Sequence, residues 1–81
     1  QRILERLGVQ PGDRVLEVGC GWGGFAEYAA AARGCRVTGI TVSQAQLDFA
    51  RARIAARGLQ HLVDLRLCDY RDAGGQYDHV V

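Results

Sequence analysis

The stretch Leu16–Gly24, LEVGCGWGG, restricts the possible folds more than any other part of this chain. A branched apolar run carries one carboxylate, Glu17, and four glycines follow within the six positions 19–24. The residues before them, RVLEV (14–18), are strand-like, and those after, GGFAEYAAAAR (23–33), are helix-like. Between the two, Gly19, Gly21 and Gly24 match G-x-G-x-x-G. A strand that turns this sharply into a helix returns to its sheet by a crossover, so the next strand runs parallel to it. Glycine in such a turn lets backbone approach a ligand closely, and the helix that follows offers unpaired N–H groups. The feature therefore predicts a parallel α/β sheet with a binding crevice at the carboxyl ends of its strands.

The remaining elements fit that frame. RILERL (2–7) reads as a short amphipathic helix ended by Gly8, with Pro11-Gly12-Asp13 as a turn. In the alanine-rich helix, Phe25, Ala29 and Ala32 form the expected buried stripe, and Gly34 is placed to cap the end. CRVTGI (35–40) is a second strand. Ser43 opens another helix with the stripe Leu47, Ala50 and Ile54, its Arg51, Arg53 and Arg57 free to reach solvent, and Gly58 closes it. VDLRL (63–67) alternates with period two, and YDHVV (77–81) begins a fourth strand after a Gly74-Gly75 loop. The order β-α-β-α-β-loop-β predicts a Rossmann-like, doubly wound parallel sheet truncated to about its first four strands, with strand four beside strand one. At 81 residues the chain holds one domain at most. We expect it to be a piece of a longer protein, with 1–81 forming a partial domain.

Charge and cysteine usage exclude several classes. Ten basic side chains, all arginine, against nine acidic ones leave a net charge of +1. That is not the clustered basic face which nucleic acid demands. No apolar run approaches the ~20 residues of a transmembrane helix. Cys20, Cys35 and Cys68 are odd in number and far apart, so neither a metal site nor a disulfide framework is expected. His61 and His79 lack any partner pattern and read as structural.

The glycine motif alone suits a dinucleotide or a nucleoside ligand of the S-adenosylmethionine (AdoMet) type. Glu17 lies two residues before Gly19, where an acid would repel a pyrophosphate but would suit a ligand carrying ammonium and sulfonium cations. It could equally brace the loop by accepting its backbone N–H groups. At the end of strand two, where an NAD-binding chain carries an acid for the ribose, this one has Thr41-Val42-Ser43-Gln44. NAD is disfavoured, and NADP less so.

Taken together, LEVGCGWGGFAEYAA, VTGITVSQAQ and CDYRDAGGQYDHVV resemble the cyclopropane-fatty-acyl-phospholipid synthase family of AdoMet-dependent transferases over essentially the whole chain. The G-x-T-x-S-x-x-Q block, Gly39, Thr41, Ser43 and Gln46, is its more restrictive part. The resemblance implies AdoMet as cofactor, with Gly19 and Gly21 making room for its methionine end. It gives Thr41 and Gln46 the ribose side, Asp69 the adenine amino group with Tyr70 beside it, and Trp22 a wall of the site. Each has an alternative. Ser43-x-x-Gln46 is also a capping box, Asp69 with Arg71 and Asp72 a solvated charge cluster, and Trp22 simple packing. The resemblance further implies a cytoplasmic enzyme, peripheral to the membrane, that acts on phospholipid acyl chains. In that family the catalytic groups lie beyond strand four, so no catalytic residue is assigned. A methyltransferase of small molecules and a non-catalytic AdoMet-binding module are the competing readings.

Overall fold

The structure, a computed structural model, describes residues 2–81. Its order is α1 (Arg2–Leu7), β1 (Arg14–Val18), α2 (Gly24–Arg33), β2 (Arg36–Thr41), α3 (Gln44–Ala56), β3 (Val63–Leu67), a 3-10 turn (Tyr70–Asp72) and β4 (His79–Val80). The four strands form one sheet in the order β3-β2-β1-β4, and every neighbouring pair is parallel. Strand four does lie beside strand one. The Rossmann-like order read from the sequence is the observed one.

The period-two pattern of the strands divides the core. Val15, Val37, Val63 and Leu65 point to one face, where they join Leu4, Val9, Ala26, Ala29, Leu47, Ala50 and Ile54 in the main cluster. The opposite face holds a smaller cluster of Leu16, Ile40 and Ala73, with Cys68 and Tyr77 packed against it. Helix α3 buries the expected Leu47, Ala50 and Ile54. In α2, however, the buried residues are Ala26, Ala29 and Ala30; Ala32 is exposed and Phe25 only partly buried. A helix in which half the residues are alanine has too little contrast in side-chain size for its periodicity to fix which face turns inward.

Two contacts add to what the sequence showed. Arg53 and Arg57 are not simply solvated: Arg53 Nε lies 3.1 Å from Glu27 Oε1, and Arg57 Nη1 lies 3.3 Å from Glu27 Oε2, tying α3 to α2. His79 has a partner, with Nε2 3.1 Å from Asp13 Oδ2. The start of β1 is held to the residue before β4 by the Arg14 N–H, which donates to Asp78 Oδ2 at 2.8 Å. Regular strand geometry in β4 is confined to His79–Val80. Its ladder nevertheless runs on, since the Val18 N–H donates to the Val81 carbonyl at 2.9 Å.

Candidate cofactor-binding site

The loop that leaves β1 is held by its neighbour. The N–H groups of Gly19 and Cys20 both donate to the Ile40 carbonyl of β2, at 3.0 and 2.8 Å, and the Gly23 N–H closes the turn on the Cys20 carbonyl at 3.1 Å. Gly21 has φ of 55°, a left-handed conformation that side chains with a Cβ adopt rarely, and a Cβ built there would meet nothing within 4 Å. Its α-carbon therefore faces open space. Gly39 on β2 is needed for the contrary reason. A Cβ there would lie 2.8 Å from Leu65 Cδ2 and 2.9 Å from Cys20 Cβ, so the loop packs down onto β2 only because that position is bare.

Glu17 shares the pleat of Val15 on β1, and its register partner on β2 is Gly39. Its Oε1 is buried without a hydrogen-bond partner. Burial pushes its carboxyl up to about 7. The bracing role is not observed: the Gly19 and Cys20 N–H groups bond to the Ile40 carbonyl and the Gly23 N–H to the Cys20 carbonyl, none of them to Glu17. A buried carboxylate oxygen beside an open turn remains, suited to a cationic group that brings its own charge and donors.

The end of β2 builds the next wall. Thr41 is buried; its hydroxyl donates to Gln46 Oε1 at 3.0 Å and accepts the Ser43 N–H at 3.1 Å. Only half of the capping box forms: the Gln46 N–H donates to Ser43 Oγ at 3.2 Å, but Thr41 has taken the Ser43 N–H that the Gln46 side chain would have capped. Among the described residues Gln46 Nε2 has no partner, which leaves two N–H donors available at the surface.

Beyond β3, Asp69 caps the 3-10 turn, accepting the Arg71 N–H at 2.9 Å. The Arg71 guanidinium also grips both of its oxygens, at 3.0 and 3.1 Å, and these bonds hold its carboxyl below the usual carboxylate range. The charge cluster is thus a pair, Asp69 with Arg71, and Asp72 has no ion-pair partner among the described residues. One lone-pair position on the carboxylate, on Oδ2, remains for a further donor. Tyr70 is exposed beside it.

Gly19, Thr41, Gln46, Asp69 and Tyr70 line one groove of about 340 Å³, whose apolar floor is Val18, Ile40 and Val42. Cys68 lines it too, its thiol donating to the Asp69 carbonyl at 3.0 Å. Sequence reasoning passed over that residue, although its place directly before Asp69 was the available signal. Glu17, Gly21 and Trp22 are not part of this lining. Trp22 packs edge-on against Phe49 of α3, ring centroids 5.3 Å apart, and stays half exposed. The packing alternative for Trp22 is observed, and it leaves part of the ring uncovered. The arrangement offers a flat apolar floor, donors for hydroxyls, an acceptor for an amino group and a separate acid for a cation. Among the described residues no three His, Cys, Asp or Glu side chains converge as metal ligands.

The comparisons with known proteins show the family and the fold. The family described as mycolic acid cyclopropane synthetase matches residues 1–81. Tuberculostearic acid methyltransferase UfaA1 of Mycobacterium tuberculosis is 51% identical over 80 residues, covering 99% of this chain and 18% of that protein. The cyclopropane-fatty-acyl-phospholipid synthase of Escherichia coli K12 is 44% identical over 79 residues, 98% of this chain and 20% of that protein. This chain therefore spans about a fifth of the length of those relatives. The crystal structure of mycolic acid cyclopropane synthase CmaA1 complexed with SAH and CTAB superposes with a TM-score of 0.88 at 28% identity, over 95% of this chain and 27% of that one. With the whole of its length matched, the chain belongs to the mycolic acid cyclopropane synthetase family.

Proposed function

We propose that residues 1–81 are part of the AdoMet-binding domain of a one-carbon transferase, and that the intact enzyme converts double bonds of unsaturated phospholipid acyl chains into cyclopropanes. The observation that carries the cofactor reading is Glu17 Oε1, buried and unpartnered beside a turn with an open side. A pyrophosphate brings neither a donor nor a positive charge to that oxygen, whereas the ammonium group of AdoMet supplies both. Gly19 and Gly21 leave room for that end. Gln46, held by Thr41, donates to the ribose hydroxyls; Asp69 accepts from the adenine amino group over the apolar floor, with Tyr70 at its margin; the uncovered part of Trp22 shields the loop mouth. CmaA1, a structural neighbour, was crystallised with SAH, which supports the same ligand.

Bound AdoMet supplies an electrophilic methyl carbon. An alkene is a weak nucleophile, so this chain contributes by fixing the donor and excluding water from it. Phospholipid acyl chains are met at a membrane surface, and we place the enzyme in the cytoplasm, docking peripherally. No helix among the described residues is long and apolar enough to cross a membrane. The phospholipid reading is supported by the name of the Escherichia coli relative. A second reading, methyl transfer without ring closure, is favoured by the relative that is 51% identical and named a methyltransferase.

Calorimetry of the intact protein with AdoMet, S-adenosylhomocysteine and NADPH tests the cofactor. Heat is expected from the first two, and heat from NADPH alone overturns the proposal. The reaction is tested with trideuteromethyl AdoMet and vesicles of unsaturated phospholipid. Ring closure expels one hydron from the transferred carbon, so a cyclopropane keeps two deuteriums, and the two olefinic C–H resonances are replaced by ring-methine resonances. Three deuteriums on nitrogen or oxygen indicate a different acceptor, and a methyl or methylene branch on the acyl chain indicates the second reading. Tight AdoMet binding without turnover of any acceptor points to a non-catalytic module.

A further inference from the structure

Among the described residues Glu17 has no ion-pair partner to balance its charge. Across the sheet its neighbour on β2 is Gly39, which has no side chain, and on the β4 side the ladder places Val81. From the loop the titratable neighbour is the Cys20 thiol, which burial first and then the charge of Glu17 push up. Helix α2 buries Ala26, Ala29 and Ala30 against the sheet. The charges that α2 and α3 bring to their junction, Glu27, Arg53 and Arg57, are taken up with one another. Among the described residues no arginine or histidine forms an ion pair with Glu17.

We infer that a proton is the resident partner of Glu17 in the ligand-free site, and that the ammonium group of the ligand's amino-acid end displaces it on binding. This rests on the AdoMet reading given above. The exchange balances: a neutral carboxyl and an ammonium become a carboxylate–ammonium pair, and one proton leaves for solvent. A carboxyl of ordinary acidity would be ionised at neutral pH and release nothing. This one is pushed up to about 7 by burial, so a substantial share of ligand-free molecules hold the proton at neutral pH. The sign follows. Below about pH 7 binding must expel the proton, and affinity falls toward tenfold for each further pH unit. Above it the carboxylate is already formed and affinity levels off.

Calorimetry of the intact protein between about pH 5.5 and 7.5, in phosphate and in imidazole buffer, measures the protons released per ligand. Release should approach one at the acid end and fade near neutrality, equally for AdoMet and S-adenosylhomocysteine, which share the ammonium group. Glu17→Gln keeps the shape of the side chain without its titration, and should bind more weakly with no release and a flat pH profile. A flat profile for the unaltered protein, or equal release from Glu17→Gln, overturns the exchange. Release with AdoMet but not with S-adenosylhomocysteine overturns the ammonium assignment. If AdoMet fails to bind at any pH, the cofactor reading falls and the exchange with it.

Discussion

Replacing Gly21 with valine is expected to weaken AdoMet binding by the intact protein roughly a hundredfold or more, about 2.8 kcal/mol, while leaving the sheet folded. Two costs act together. At φ of 55° a β-branched residue is strained by its own backbone, a penalty on the order of 1–2 kcal/mol that the loop can escape only by leaving its present shape. The side chain would then stand in the open space that the ligand is proposed to use. Gly21→Asn separates the two costs, because asparagine tolerates left-handed backbone and so keeps the turn while still filling the space. Asparagine should restore thermal stability but not affinity. Native affinity in Gly21→Val, with a native circular dichroism spectrum, would show that no ligand approaches this face of the loop.

A second large effect is expected at Gly39, and it concerns the fold. Gly39→Ala should cost about 1–3 kcal/mol of stability by overpacking, and Gly39→Val more. The Leu65 methyl can swing away from the new Cβ, but Cys20 Cβ cannot, because the Cys20 N–H is tied to the Ile40 carbonyl at 2.8 Å. Urea unfolding of the intact protein reads the loss as a lower midpoint at unchanged slope. Pairing Gly39→Ala with Leu65→Ala should recover only the part due to Leu65, since the clash with Cys20 persists. An unchanged midpoint for Gly39→Ala would mean that the loop does not sit on β2 as described.

What the sequence disclosed follows from the range over which each signal acts. The strands, the glycine turn and α3 were legible because their periodicity and breakers are local: Val15, Val37 and Leu65 alternate, and Leu47, Ala50 and Ile54 fall on one stripe. The inward face of α2 was not, since alanines at 26, 29, 30, 31 and 32 make several faces nearly equivalent. The fate of Gln46 was half legible. Its spacing from Ser43 encodes a cap, but nothing in that spacing reveals that the Thr41 hydroxyl competes for the same N–H and turns the amide to another use. The isolation of Glu17 was illegible in principle. Only the fold shows that the Gly19 and Cys20 N–H groups are spent on Ile40, a residue 23 positions beyond Glu17. His79 meeting Asp13 is a contact of the same kind.

The doubly used carbonyl of Ile40 has a consequence for how fast and how tightly this surface can capture a ligand. One oxygen anchors the start of the loop, and the next residue along the same strand is Thr41, which orients Gln46. The parts that would touch the amino-acid end and the ribose of the ligand are therefore fastened to neighbouring residues of one strand. Little conformational freedom is left to be lost when the ligand arrives, so the ordering penalty that weakens flexible receptors is largely absent. Association would then depend on the ligand finding its orientation, rather than on the protein first finding its shape.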